Sequence, residues 1–161
     1  MQVIPVWDNL PALSWRNKVA YITHHFSKLE QTDCPLKHIF EPGVYIRELR
    51  IPKGTLFTGR EHLLGHECQL LEGSVIMIAP DGRYRFDAYS SIHTKPGYHA
   101  VAAALEDCVA RTIHPNPAEL RDTEALEAIW FGTAAELIER GYQITKMLEY
   151  EESELKLCPQ L

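Results

Sequence analysis

Residues 54–73 read GTLFTGREHLLGHECQLLEG, a glycine-framed stretch that places His62 and His66 four positions apart. A third histidine, His99, follows in the sequence KPGYHAV. In a regular strand His62 and His66 point to the same face, although Gly65 between them permits a bulge. Imidazole nitrogens that converge inside a barrel bind transition metals and leave coordination positions open for water or a substrate. The stretch therefore predicts a barrel with a metal site made of His62, His66 and His99.

Turn signals divide the sequence around this stretch into short β-rich runs. The motifs EPG, IPKG, PDG and KPG end at Gly43, Gly54, Gly82 and Gly97. The runs that fit strands are VYIRELRI, CQLLEGSVIMIA, RYRFDA, HAVAAAL and DCVARTIH. Several short strands separated by such turns are typical of a sandwich or barrel. The pattern predicts a β-barrel over residues 36–114.

Helical patterns flank the predicted barrel inside a single domain that spans all 161 residues. An N-terminal helix is predicted over residues 14–31, because Ser14 can cap it and apolar residues recur with a helical period. Those residues are Trp15, Val19, Ile22, Phe26 and Leu29. A C-terminal segment of one or two helices is predicted over residues 116–150, with Asn116 as its first cap and Thr133 as its second.

Composition and charge argue against several classes of protein. The net charge is −6 and the isoelectric point about 5.7, with Lys and Arg scattered, so direct binding to nucleic acid is not expected. No long apolar run or signal-peptide pattern is present, which predicts a cytoplasmic protein without a membrane span. The widely spaced cysteines Cys34, Cys68, Cys108 and Cys158 are expected to be reduced. No phosphate loop or dinucleotide fingerprint indicates a nucleotide cofactor.

The stretch quoted above resembles the first conserved motif of the cupin superfamily. In that motif a glycine precedes two histidines two positions apart, then a glutamate and a closing glycine. Gly54 and Gly73 match the two glycines, and His62 matches the second histidine. Arg60 stands at the position of the first histidine, and His66 stands at that of the glutamate.

The second cupin motif, a proline and a glycine followed by a histidine, is matched loosely by Pro96, Gly97 and His99. The resemblance implies a mainly β, double-stranded β-helix barrel that binds a divalent metal ion such as Fe, Mn, Ni or Zn, a small molecule, or both. It also implies a homodimer, which is common among cupin-like proteins. Because Arg60 puts a permanent cation at a ligand position, the match favours binding over catalysis.

Residues 33–117 also resemble small cupin-like proteins encoded by tailed bacteriophages, through CPLKHIFEPGVYIRELRIPKGTLFTGREH, the PG loop and ALEDCVARTIHPNP. Those relatives are mostly hypothetical proteins, so the resemblance implies a fold, a phage origin and a location in the host cytoplasm, and no activity. Two alternatives to a metal-binding module stay open. One is a non-enzymatic protein that binds a host protein or a nucleotide-type metabolite to counter host defence. The other is a structural or assembly factor.

Three further side chains are candidates for contacting a small-molecule ligand. Arg60 could grip a carboxylate or phosphate with its guanidinium, or be a solvated cation. Glu48 could face the pocket or form a cross-strand ion pair. Tyr98 could line the rim of the pocket.

The other polar residues near the histidines receive less specific predictions. Glu61 and Glu67 are expected to be solvated. His114 is expected to be a structural residue at a strand end, with metal binding as its second reading. No nucleophile with an adjacent base is readable, so an enzymatic activity is left open and would be metal-dependent.

Overall fold

The computed structural model describes residues 14–131, which contain nine strands between two helices. These elements are α1 (Trp15–Phe26), β1 (Leu36–Glu41), β2 (Val44–Ile51), β3 (Leu56–Thr58), β4 (Glu67–Glu72), β5 (Ser74–Ala79), β6 (Gly82–Asp87), β7 (Ser90–His93), β8 (Val101–Ala104), β9 (Cys108–Pro115) and α2 (Thr123–Phe131).

The strand pairing is that of one long hairpin wound into two antiparallel sheets. The first sheet has the order β1-β2-β9-β4-β7, and the second has the order β3-β8-β5-β6. Strands β2, β3, β4 and β5 pair in turn with β9, β8, β7 and β6. This arrangement is the jelly roll, or double-stranded β-helix, in which cupins are built. The predicted fold class is therefore confirmed.

The core of this part of the chain lies between the two sheets. Ile51 and Leu70 from the first sheet pack with Val75 and Ala104 from the second, and Cys108 at the start of β9 completes the cluster. Side chains alternate across each strand, so every second residue of β9 faces this core.

Glycines occupy connections that an L-residue would strain. Gly43 turns β1 into β2 with a φ of 71°. Gly73 joins β4 to β5 with a φ of 81°, and a Cβ there would collide with the main-chain oxygen of Asp107 and lie 2.7 Å from Cys108 Sγ. Only glycine meets both demands, the left-handed backbone and the close approach of another segment.

Helix α1 begins where the sequence predicts and ends earlier. Ser14 Oγ accepts a hydrogen bond from Asn17 N at 3.4 Å, as an N-cap does. The helix ends at Phe26 rather than at residue 31, because the side chain of Gln31 folds back and donates to the carbonyls of Phe26 and Leu29. Its buried face, Val19, Tyr21 and Ile22, packs towards β3.

Helix α2 begins six residues later than predicted, with its N-cap at Asp122 rather than at Asn116. Asn116 is buried and makes a turn instead, since its Oδ1 accepts from Leu120 N at 3.1 Å and its Nδ2 donates to Leu120 O at 2.9 Å. Glu119 has a φ of 50°, which a helix cannot contain. The N-cap is Asp122, whose Oδ1 accepts from Glu124 N at 3.0 Å. The second cap predicted at Thr133 lies outside the described residues.

Two further predictions concern thiols and membranes. Cys34, Cys68 and Cys108 are free thiols, and Cys158 lies outside the described residues. Within residues 14–131, neither helix is long and apolar enough to cross a membrane.

Candidate metal and ligand site

Three buried histidines meet at one end of the barrel. His62 and His66 lie in the loop between β3 and β4 rather than on a strand, so strand alternation does not orient them as the sequence predicts. His114 lies on β9 and is fully buried, while His62 and His66 are 7% and 2% exposed. We call His62, His66 and His114 the imidazole cluster.

The rings of the imidazole cluster are in direct contact. The rings of His62 and His66 stack with their centroids 3.5 Å apart and their planes 21° apart. The ring of His114 lies nearly parallel to both, its plane 13° from that of His62 and 21° from that of His66, and its Nε2 is 3.2 Å from Nε2 of His62. The loop and the last strand of the barrel thus place two ring nitrogens face to face.

Hydrogen bonds to the loop before β8 hold His66 in place. Its Nδ1 lies 2.8 Å from Thr94 Oγ1, its carbonyl accepts from Thr94 N at 2.8 Å, and its Nε2 lies 3.1 Å from Sγ of Cys68 on β4. A Cβ at Gly65 would lie 2.7 Å from the carbonyl oxygen of Thr94, so glycine is needed for this approach. The same loop holds His62, whose carbonyl accepts from Gly97 N at 2.8 Å.

If both rings are neutral, the hydrogen bonds of His62 and His114 leave two ring nitrogens with lone pairs directed at each other. Nδ1 of His62 lies 3.0 Å from the carbonyl oxygen of Arg60, and Nδ1 of His114 lies 3.3 Å from that of Tyr45. Carbonyl oxygens only accept, so each of these contacts needs a proton on Nδ1. Both Nε2 atoms then carry lone pairs, and these lone pairs face each other at 3.2 Å. A shared proton or a metal ion would relieve this repulsion.

Burial makes a shared proton unfavourable at neutral pH. Loss of solvent and the neighbouring imidazoles lower the pKa of His62 to about 2. Burial, with repulsion from His66, lowers the pKa of His114 to about 3, and burial lowers the pKa of His66 to about 4. The cluster therefore consists of neutral rings, the protonation state in which histidine binds metals.

The predicted set of His62, His66 and His99 is not assembled in this structure. Within residues 14–131, no group of three or more His, Cys, Asp or Glu side chains is placed to hold a metal ion. His99 is buried beside Gly59, Glu61 and Arg16, which lie on the side of α1. The structure brings His114 to the first two histidines instead.

The three candidate ligand contacts have partners within the protein. Arg60 Nη1 pairs with Glu127 Oε2 at 3.2 Å, and the guanidinium carbon lies 4.0 Å from the ring centroid of Phe131. Glu48 Oε2 accepts from Arg111 Nε at 2.7 Å, which is the cross-strand ion pair that the sequence offered as one of two possibilities.

Tyr98 is partly buried, and its hydroxyl donates to Met77 Sδ at 3.6 Å. Burial raises the pKa of Tyr98 to about 12, so its hydroxyl stays protonated. Glu61, expected to be solvated, is 5% exposed. Its two carboxylate oxygens lie 2.9 Å from Nη2 and 3.2 Å from Nε of Arg16. This pair ties α1 to the loop that carries His62.

Helix α2 closes the end of the barrel over the imidazole cluster. The ring of Trp130 lies 4.5 Å from that of His114, and the ring of Phe131 meets His62 edge-on at 4.6 Å, both between centroids. A surface cavity of about 170 Å³ lies elsewhere, against the β1–β2 turn and the segment before α2. It is smaller than the ~300–1,000 Å³ typical of small-molecule sites.

The strand pattern already indicated that His114 points into the barrel, although His114 was expected to be mainly structural. His114 shares its strand parity with Cys108, a core residue, and with Ala110, which packs against that core. Alternation along DCVARTIH therefore points His114 inward, where a polar ring needs a partner.

The chain is similar to several solved cupin structures at low sequence identity. No protein-family model and no curated protein matches the chain. A cupin domain from Bordetella pertussis is 16% identical over 54% of this chain and 97% of its own, with a TM-score of 0.43. A cupin-2 domain protein from Shewanella frigidimarina is 15% identical over 65% and 94%, with a TM-score of 0.43. An RmlC-like cupin from Methanocaldococcus jannaschii, described as a double-stranded β-helix, is 9% identical over 56% and 88%, with a TM-score of 0.44.

Proposed function

We propose that this chain is a non-enzymatic binding protein whose barrel holds a divalent transition-metal ion between Nε2 of His62 and Nε2 of His114. The observation that carries the proposal is the pair of facing nitrogens, both of which are left with lone pairs by their Nδ1 contacts. The ion would supply the positive charge that this arrangement lacks.

The spacing and surroundings of the two nitrogens fit such an ion. Two bonds of about 2.0–2.1 Å that meet at a tetrahedral angle hold their nitrogens roughly 3.3 Å apart. The observed separation is 3.2 Å. Metal-binding histidines ordinarily donate Nδ1–H to a main-chain carbonyl or a carboxylate, which fixes the ring and directs Nε2 at the metal. His62 and His114 both have that arrangement, with the carbonyls of Arg60 and Tyr45 as acceptors.

His66 supports the site without being placed to complete it. The ring of His66 lies over that of His62 with the centroids only 3.5 Å apart, so the lone pairs of these two rings lie in separate layers and do not meet at one point. Its Nε2 instead lies 3.1 Å from the Cys68 thiol. Two protein nitrogens therefore leave coordination positions for water or for a small molecule. Imidazole ligands favour Zn, Ni, Cu or Fe over Mg and Ca, which prefer oxygen.

Metal titration of purified protein tests the proposal. Untagged protein is stripped with chelator and titrated with Zn²⁺ and Ni²⁺ by calorimetry, and bound metal is counted by elemental analysis. We expect one ion per chain. His114→Gln should weaken binding by at least ~100-fold, because it removes one of two ligands. Circular dichroism establishes that the variant is folded.

Two histidine variants serve as matched controls. His93→Gln removes an exposed imidazole on β7, and His99→Gln removes the third member of the set predicted from the sequence. Neither should change the affinity by more than about twofold, given that neither ring is a ligand in the proposal. Wild-type protein that takes up no metal, or folded His114→Gln that binds as the wild type does, would contradict the proposal.

The origin and partners of the chain stay predictions from the sequence. These are the relation to tailed bacteriophages, the homodimer, the host-protein or metabolite partner and the cytoplasmic location. A ligand in the open coordination positions would reconcile metal binding with a metabolite partner.

A further inference from the structure

Two aromatic residues of α2 close the imidazole cluster off from solvent. Trp130 and Phe131 are each 3% exposed, and their rings cover those of His114 and His62. The two histidines beneath are almost fully buried. A hydrated ion or a small molecule therefore cannot reach their Nε2 atoms unless α2 moves.

Polar contacts at the surface add to the burial of Leu126, Trp130 and Phe131 in holding α2 closed. Glu127 bridges two arginines, with Oε1 3.1 Å from Arg47 Nη1 and Oε2 3.2 Å from Arg60 Nη1. Both guanidinium groups also lie over the ring of Phe131, at 4.8 Å and 4.0 Å. In addition, Leu63 N donates to Trp130 O at 2.7 Å. We call the Arg47–Glu127–Arg60 group the latch.

The latch is weak compared with the barrel that it closes. The side chains of Glu127 and Arg60 are 34% and 50% exposed, and ion pairs that water reaches contribute little to stability. Within the described residues α2 spans Thr123–Phe131, and it depends on its contacts with the barrel because Leu126, Trp130 and Phe131 are buried there. Loss of those contacts would release α2 without disturbing the sheets.

The connection before α2 offers a natural pivot. Asn116 is buried and fixed by its two bonds to Leu120, at the point where the chain leaves β9. Apart from the partly buried Leu120, the residues after it are exposed up to the cap at Asp122. Motion of α2 can therefore begin after the barrel ends.

We propose that α2 is a lid, and that opening of the Arg47–Glu127–Arg60 latch controls access to the imidazole cluster. Arg60 thus acts on the protein's own carboxylate and on Phe131 rather than on a ligand anion. The identity of what enters rests on the proposed metal function, whereas the opening of the lid does not. The test accordingly has one readout with metal and one without.

The variant Glu127→Gln opens the latch while it preserves the shape of the side chain. Hydrogen exchange at the Leu63 amide, which is protected by Trp130 O, reports opening in metal-free protein. We expect this exchange to accelerate about fivefold, because two partly exposed ion pairs are lost together. In protein loaded with Ni²⁺, the rate at which a chelator extracts the ion should rise by a similar factor.

A second variant and a control separate the lid from general destabilisation. Arg60→Gln removes one arm of the same latch and should change both rates in the same direction. Glu72→Gln removes an equal charge at the exposed end of β4 and should change neither. Unchanged Leu63 exchange in folded Glu127→Gln and Arg60→Gln would overturn the lid. Faster exchange in a protein that takes up no metal would retain the lid and reject the metal function.

Discussion

Mild acid is expected to destabilise the metal-free protein steeply because of the imidazole cluster. Burial lowers the pKa of His62, His66 and His114 to about 2, 4 and 3 in the folded chain. In the unfolded chain each returns to about 6.5. The folded state therefore binds fewer protons, and its stability falls as the pH drops below 6.5 and towards the folded pKa values.

The amount of stability lost is determined by protonation of the histidines in the unfolded chain. Between pH 7.5 and pH 5.5 all three folded rings stay neutral, so the loss depends on protonation of the unfolded rings. Each histidine then contributes about 1.4 kcal/mol of lost stability, and the three together about 4 kcal/mol. Burial also lowers the pKa of His99, which adds to the loss in the same direction.

Urea denaturation in the presence of chelator at the two pH values measures this loss directly. In His114→Gln one of the three titrating groups is gone, so the loss should shrink by about a third. A wild-type loss below about 1 kcal/mol would refute the reasoning, because it would mean that the imidazoles accept protons while folded.

Two further predictions concern the frame around the site. Gly73→Ala should lower the free energy of unfolding by about 3 kcal/mol, because alanine meets both the left-handed φ and the collision with Asp107. Gly54→Ala should lower it by only about 1 kcal/mol, because Gly54 has a φ of 83° but open space around it. Equal losses in urea denaturation would exclude the collision. Arg16→Gln should lower the free energy of unfolding by about 2 kcal/mol, because it leaves the buried carboxylate of Glu61 without its bidentate guanidinium partner. The loss is limited because Arg16 itself is one-third exposed. An unchanged melting temperature would show that the pair contributes nothing.

Local patterns in the sequence were sufficient for most of the fold. VYIRELRI is β2 to the residue, and turn glycines such as Gly43 and Gly82 lie at strand ends. These features depend on neighbouring residues only, through strand alternation and the backbone freedom of glycine. Helix α2 was misplaced for a related reason. The Asn-Pro sequence at residue 116 suits a helix start, but burial of Asn116 turned its side chain to Leu120.

The candidate site could be predicted only in part, because its members are remote in sequence. His62 and His66 were found from their spacing. His114 is 52 residues from His62, and their contact depends on how β9 packs beside β4. The partners of Arg60 could not be foreseen for the same reason, since Glu127 and Phe131 come from α2. Sequence spacing identifies residues suited to a site, and the topology decides which of them meet.

Strands β2–β5 pair with strands β6–β9, so the two metal-binding nitrogens can meet only after most of the chain has been synthesised. His62 is made early, but its partner nitrogen arrives with β9, which inserts between β2 and β4. A nascent chain that ends before Cys108 lacks both the central strand of one sheet and the second imidazole. Pairings this distant form late in folding. Metal binding by the two nitrogens would therefore require the complete barrel. A chain whose synthesis stops before β9 would have His62 but not its partner His114.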